Sequence, residues 1–421
     1  MPSPLWKKSY SWLFAVLIFT VPSNLFLKYV ESTAYVRGLS IDYLIPKLHL
    51  SEVVVLTFLG LWIVEITTSR TRPYFKKSFF TTGLIMLISF LALFFARQFL
   101  TFKPIVSVIS FLHGLEALLL FIFIFTHPYI IKTKLFIWSL VATLLFQSTL
   151  GLYQWYAQQS LLGYLFFGEP QLQAFAGLAK ATWWGGAEVI LPYGTTAHPN
   201  VLGGLLGLFS LLLLRVKNSF SFTSSQRLLI YGSCGLSLLI LLLTQSWSAV
   251  LATLIGLIIY RGQVKLSQHI GLTHVLALFL IPLGLYLSSL VVTNNPSIDR
   301  RLTLNRAAVQ MLKDEPIVGV GLNMFTTKLE VYAPPSEVVR FVQPAHHVGL
   351  LWLAETGLLG VMLVVSLCWW LTKHYQLSIL PMAWLVLLPI AGLDHYLLTI
   401  QSGVLLGVIW LSCHTQINKK S

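Results

Sequence analysis

The stretch Ser297–Gly360, SIDRRLTLNRAAVQMLKDEPIVGVGLNMFTTKLEVYAPPSEVVRFVQPAHHVGLLWLAETGLLG, decides how the chain is read. It gathers charge, proline and glycine in a protein that is otherwise apolar. Arg300, Arg301, Asn305 and Arg306 open it on an expected helix that stops at Glu315-Pro316, because proline removes a helix donor and crowds the turn before it. Gly319-x-Gly321 then turns the chain. His346 and His347 follow Pro344, which predicts that they occupy the first turn of the next apolar helix, at the water–lipid boundary. Cations near titratable imidazoles, on a polar segment walled by membrane, suit a site that handles an anion at the bilayer surface.

Outward from that stretch the chain is hydrophobic. Of its 421 residues 56% are apolar and 10% charged, with a mean hydropathy of +0.78, which excludes a soluble globule and predicts an all-α, polytopic membrane protein. The apolar run from Trp12 to Val30 is too long for a signal-peptide core and lacks an A-x-A cleavage site, so it reads as a retained first span. Runs long enough to cross a bilayer predict about 12 transmembrane helices, centred near Phe19, Phe58, Ile88, Leu118, Ala142, Leu208, Leu238, Ile255, Phe279, Leu358, Val386 and Leu406. The formal charge of +14 reads as loop topology rather than a nucleic-acid footprint. More than half of the 28 Lys and Arg fall on the side that carries both termini, which places the termini in the cytoplasm. Two long loops, 160–198 and 294–345, then lie outside. The expected organisation is a single integral membrane domain over 1–421 with no internal repeat, the second loop forming a lid. Cys234, Cys368 and Cys413 sit in apolar runs without metal-ligand spacing, so neither a disulfide framework nor a metal site is expected.

The first long loop reads LLGYLFFGEPQLQAFAGLAKATWWGGAEVILPYGTTAHPN over 161–200. Its single cation, Lys180, and its aromatic residues suit short segments in the headgroup layer anchored by Trp183 and Trp184. Gly194 to Asn200 forms a turn into the sixth span; turn chemistry alone accounts for Gly, Pro and Asn there, and substrate contact by His198 or Asn200 is the alternative.

These two outer segments resemble the O-antigen ligase superfamily of ligases, polymerases and related oligosaccharide transferases. In the pattern R-x-x-x-W-x-x-A, then Pro and G-x-G, then H-N-x-x-L with E-x-G-x-x-G, Arg301, Ala308, Pro316, Gly319, Gly321, His346, Leu350, Glu355, Gly357 and Gly360 take the matching positions. Gly194-Thr195 and His198-Pro199-Asn200 look like the family's G-T-F-x-H-P-N segment. The chain departs from the pattern at Asn305 for Trp, at His347 for Asn, at Leu191 for an Arg before the G-T-F segment, and at Trp247 for an Arg in QSWSAVLA. Lys180 or Arg300 could stand in for the last.

The resemblance implies an O-antigen-ligase-like (GT-C-like) fold and transfer of a glycan from a polyprenyl diphosphate carrier to a glycan, lipid or protein acceptor, at the outer face of the cytoplasmic membrane. No cofactor or metal is implied, and the partners are the lipid-linked donor, the acceptor and membrane lipids. A departing lipid diphosphate needs its charge held, which planar guanidinium does best; Arg301 is the first candidate and Arg300 the second, 100° apart on a helix. The acceptor hydroxyl needs a base near neutral pH, and His346 is the choice, with His347 as a substrate or loop contact. Nine residues of helix turn Glu355 away from His346, which favours a structural role for it. Asp394 and His395 lie at the outer end between the last two spans, on the substrate-binding side, Asp394 as a source of an orienting carboxylate. The alternative is a lipid-linked glycan flippase or another 12-helix transporter, although transporters bind at the midplane and carry repeated halves; a non-catalytic scaffold draws support only from Trp247.

Overall fold

The computed structural model describes residues 4–29, 32–36, 38–68, 82–173, 177–182, 186–262, 296–333, 342–375 and 380–417. Its helices are α1 (Pro4–Thr20), α2 (Leu50–Thr68), α3 (Thr82–Gln98), α4 (Pro104–Thr126), α5 (Lys134–Ala157), α6 (Pro199–Val216), α7 (Ser224–Leu243) and α8 (Trp247–Gly262). They continue as α9 (Pro296–Asp314), α10 (Phe325–Tyr332), α11 (Val348–Tyr375), α12 (Leu380–Leu393), the short α13 (Tyr396–Thr399) and α14 (Gln401–Ile417). Among the described residues six helices are long and apolar enough to cross a membrane: α2, α4, α5, α6 with the turn after it, α7, and α11 as far as Trp369. That is the build of a mostly helical, polytopic membrane protein. Every expected span falls on a helix except the one centred near Phe279, which lies outside the described residues, as do Trp183 and Trp184.

Three differences from the sequence reading have physical causes. The first helix runs Pro4–Thr20 rather than across the apolar run to Val30, since Pro22 offers no backbone donor and the Ser23 hydroxyl turns to the carbonyl of Phe167 at 2.8 Å. The loops are not bare: β1 (Phe26–Lys28) pairs with β4 (Lys47–His49), β2 (Tyr35–Val36) with β3 (Leu39–Ser40), and β5 (Lys180–Thr182) with β6 (Glu188–Ile190), so an otherwise helical fold carries three small antiparallel hairpins. In the second long loop the expected helix is present as α9, ending at Asp314 just before Glu315-Pro316, and a further helix, α10, follows the Gly319-x-Gly321 turn.

The loops meet at one end of the bundle. Asn24 N–H donates to Thr195 O at 2.9 Å, and the Asn323 side chain donates to Tyr43 O at 2.7 Å, tying the first loop, 21–49 between α1 and α2, to both long loops. The carboxylate of Glu169 accepts from the backbone amides of Leu161, Leu162 and Gly163, which folds the tip of the 158–198 segment. Gln154 and Gln147 hold Tyr193, Gly194 and Thr195 through buried side-chain hydrogen bonds of 2.8–3.0 Å. The turn before α6 is therefore built from below.

At the centre stands α6, the most buried of the six, with 83% of its apolar window enclosed against 61% for α5. Lipid supplies no hydrophobic push between helices, so association rests on close fit; Gly203, Gly204 and Gly207 bring α6 against Thr244, Tyr396 and Thr253. A second core, including Ile41, Leu44, Ala308, Met311, Phe325 and Leu351, joins the first loop to α9, α10 and the start of α11.

One seam fixes α9 against α11. Helix α11 breaks at Gly357, which has φ 57° and ψ −155°. An unbroken helix would pair Leu358 N–H with Ala354 O and Leu359 N–H with Glu355 O. Here the carbonyls of Ala354 and Glu355 accept instead from Val320 and Gly321 at 3.0 and 2.9 Å, while Leu358 and Leu359 donate to Pro316 and Ile317, both at 2.9 Å. Two lost helical bonds become four bonds to the turn after α9. Backbone groups freed by a break in a helix and buried in protein require such re-pairing. A side chain at Gly319 would collide with the backbone of Glu355, and one at Gly357 with that of Ile317, so both glycines are needed for the contact as well as for their positive φ. Arg97 adds a hydrogen bond to Gly319 O at 3.0 Å, and Glu355 accepts from Phe325 N–H at 3.2 Å at the start of α10.

Candidate active site

Helix starts converge on one polar cluster. The amides at a helix N-terminus lack partners within the helix and take them from a cap. At α6 the cap is His198, whose Nδ1 accepts from Asn200 N–H at 3.1 Å. A neutral imidazole that accepts at Nδ1 carries its proton on Nε2, so His198 presents a donor. The Asn200 side chain donates to Asp394 Oδ1 at 2.9 Å, and the Ser248 hydroxyl, in the first turn of α8, donates to Asp394 Oδ2 at 2.8 Å. Asp394 thus ties the end of α12 to the starts of α6 and α8.

His395 follows. Its ring meets His346 edge to face, centroids 4.8 Å apart, and Tyr43 at 5.6 Å. Its Nδ1 lies 2.6 Å from Thr399 Oγ1. Nδ1 of His346 is buried without a hydrogen-bond partner among the described residues.

Arg301, on α9, acts electrostatically on His198, His346, Asp394 and His395 together, whereas Arg300 acts on His346. Burial, with the Arg301 charge second, pushes His198 down to about 4. Burial, then His198 and Arg301, pushes His395 down to about 3. His346 is held well below the ordinary imidazole range by burial first and then by His395, Arg301, His198 and Arg300. Burial raises the Asp394 carboxyl against the opposing pull of Arg301, Asn200 and Ser248. The imidazoles are therefore neutral at neutral pH, and the fixed positive charge of the cluster is guanidinium.

The structure thus brings His198, Asn200, Arg301, His346, Asp394 and His395 to one place, with Arg300 beside it. His347 stands apart in role: α11 begins at Val348, so neither His346 nor His347 occupies its first turn, and His347 caps it, Nδ1 accepting from Leu350 N–H at 3.2 Å. A side chain that receives an end amide must sit outside the helix, which is why the helix begins after both histidines. The hydrogen bonds of Asp394 go to Asn200 and Ser248 rather than to an imidazole. Lys180 pairs with Glu188 at 3.3 Å on the exposed hairpin, and Trp247 is 73% exposed at the start of α8. Ser248, Thr399 and Tyr43 carry no signal of their own in the sequence: Ser248 lies in the QSWSAVLA stretch, whose departure from the family pattern is at Trp247, and Tyr43 and Thr399 belong to no motif.

A polar cluster of guanidinium, imidazole and carboxylate sits in an apolar helical bundle with the build of a multi-pass membrane protein. Residues 232–365 match the family model described as O-antigen ligase, and the match supports the O-antigen ligase/polymerase superfamily for this chain. The matched span runs from α7 into α11 and contains Ser248, Arg301 and His346; His198, Asn200, Asp394 and His395 join it only through the fold. No curated protein matches the chain. The family points to a membrane glycan transferase or ligase of polysaccharide synthesis.

Proposed function

We propose that this protein transfers a glycan from a polyprenyl diphosphate carrier to an acceptor hydroxyl on a glycan, lipid or protein, at the outer face of the cytoplasmic membrane. The observation that carries the reading is the convergence of His198, Asn200, Asp394, His395 and His346 from α6, the mouth of α11 and the turn after α12, joined by the Asn200–Asp394 hydrogen bond and the His346–His395 ring contact, within electrostatic reach of Arg301. In the reaction the acceptor oxygen bonds to the anomeric carbon, and that carbon's bond to phosphate oxygen breaks with its electron pair passing to the diphosphate. Arg301, with Arg300 adjacent in sequence, holds the charge that develops there, as a planar bidentate donor can. Nε2–H of His198 and of His347 and the amide of Asn200 are donors available to substrate oxygens, and Asp394 and His395 line the same cluster. His346 takes the hydroxyl proton.

The pH dependence has a definite sign. A base must be neutral to act, and burial holds His346 below its ordinary range. Turnover is therefore steady through neutral pH and falls as pH drops through that depressed value, so the acid limb lies below the usual imidazole midpoint. The test is turnover by the purified protein in proteoliposomes with polyprenyl diphosphate-linked oligosaccharide and an acceptor glycan. His346→Ala is expected to lower turnover by roughly 10² to 10⁴-fold. Arg301→Lys, which keeps the charge and loses the fork, is expected to lower it by a factor worth about 1 to 3 kcal/mol. Movement of intact carrier across the bilayer with no bond cleaved would replace this reading with the flippase; equal activity of Arg301→Lys and Arg301→Ala would remove the diphosphate clamp.

A further inference from the structure

We propose that the tip of the first long loop, residues 161–167, is a rigid apolar finger that dips into the headgroup layer of the leaflet on the side of the site, with bilayer lipid as its partner. This goes beyond the transfer reading and does not depend on it. The tip reads LLGYLFF. Leu161, Leu162, Leu165 and Phe166 are exposed, Leu165 at 90%. Scattered apolar side chains are ordinary on any protein surface, but several gathered on one short segment mark a contact. Between Gln158 and Lys180 the only charged residue is Glu169, and its side chain is turned inward and fully buried. No charge on the tip therefore opposes contact with lipid.

The finger is firmly held. Besides the amides of Leu161, Leu162 and Gly163, the Glu169 carboxylate accepts from the Gln154 side chain at 2.9 Å. The amides of Phe166 and Gly168 donate to the carbonyls of Gly163 and Tyr164 at 3.2 and 2.9 Å. The Tyr164 hydroxyl donates to Phe26 O and accepts from Phe26 N–H, both at 3.2 Å, and Phe167 O accepts from the Ser23 hydroxyl. Phe167 itself has φ 55°, a backbone conformation that a bulky residue keeps only where its surroundings enforce it. A segment entering a poorly hydrated layer needs its backbone groups paired within the protein, and these bonds supply much of that.

Its level follows from what the two phenylalanines touch. Phe167 packs edge to face on Phe19 of α1, ring centroids 5.5 Å apart, and on Phe146 of α5 at 6.1 Å, while Phe166 reaches Phe146 at 6.4 Å. Phe146 lies about three turns back from the end of α5, roughly 16 Å along its axis. The loop thus folds back along a helix long and apolar enough to cross a membrane. On α1, Trp12 and Val16 precede Phe19 at helical spacing and are both exposed, so the tip prolongs an outward-facing apolar stripe of that helix. This continuity is what points to lipid as the partner. Gln154, which grips Glu169, also donates to Gly194 O at 2.9 Å, just before His198. One side chain therefore couples the depth of the finger to the turn that opens α6.

The test uses the full chain in phosphatidylcholine nanodiscs, in a background lacking Cys234, Cys368 and Cys413. Leu165→Cys carries the environment-sensitive fluorophore NBD; the side chain replaced is already exposed, so the fold is not at stake. The same label on Glu188→Cys, in the exposed hairpin of β5 and β6, is the aqueous reference. Expected at Leu165 are blue-shifted emission, quenching by phosphatidylcholine that bears a nitroxide near the head of its acyl chain, and loss of the iodide quenching seen at Glu188. Iodide quenching equal to that at Glu188 places the tip in water and overturns the proposal. Protection from both quenchers means that protein, such as a second copy of this chain, covers the tip, and overturns it equally. Neither result touches bond cleavage, so the transfer reading stands or falls on its own assay.

Discussion

His347, expected as a substrate or loop contact, shows how one side chain can hold the start of a helix. Its Nδ1 receives the Leu350 amide at 3.2 Å, a role that the oxygen of Asn fills equally well. The departure from the H-N pattern thus exchanges one cap for another. His347→Asn is expected to leave thermal stability within a few tenths of a kcal/mol, and His347→Ala to lose about 0.5 to 2 kcal/mol. Melting of the two variants in nanodiscs checks this, and equal losses would show that the cap does not matter. His198 and His346 stand out in the sequence because polar groups are scarce in an apolar chain and these lie beside proline, and Arg301 because it takes the Arg position of the family pattern. Ser248 and Thr399 do not, since a hydroxyl gains meaning only from the group it meets: Asp394 lies far along the chain from Ser248, and the Thr399 contact depends on the short turn of α13.

Helix α11 carries the same lesson at the scale of an element. Its apolar run, its glycines and the position of Glu355 were readable, and the turn of the helix placed Glu355 away from His346. The break at Gly357 was not readable, because the backbone groups it frees are satisfied by residues 316–321, more than thirty positions earlier. Gly357→Ala and Gly319→Ala each place a side chain at positive φ and against another backbone, which costs on the order of 1 to 3 kcal/mol or more apiece. Because each lesion opens the same seam, their combination should be less than additive. A thermal-shift series on the two single variants and the double variant measures it; full additivity would mean that the two glycines serve separate contacts. The boundary of α1 was misplaced for a similar reason: hydropathy continues past Thr20, and Pro22 with Ser23 ends the helix regardless.

For the whole molecule, the sequence conveyed the class and the order of the helices, since length and apolar periodicity are local properties. It did not convey that the first loop is tied to the other two, because those ties are single hydrogen bonds such as Asn24 to Thr195 and Asn323 to Tyr43. The charge asymmetry of the loops predicts that this joined end faces outward. In a background lacking Cys234, Cys368 and Cys413, a cysteine replacing the exposed Lys313 should react with an impermeant thiol reagent in intact cells. Reaction only after the membrane is opened would invert the orientation and move the proposed chemistry to the cytoplasmic side.

The seam between the turn after α9 and the broken helix α11 also limits how the molecule can move. Four peptide hydrogen bonds join them, at 2.9 to 3.0 Å. Prising the two apart would strip eight backbone groups of their partners at once, and a buried backbone group left unpaired costs about 1 to 3 kcal/mol. The helix bearing Arg301 and the helix that begins beside His346 are thus a single stiff lever, and a rocking cycle that swings one past the other at this seam would have to climb that barrier on every stroke. A catalyst gains from such stiffness, because it keeps the spacing of groups carried on the two helices; a pump would be hindered by it.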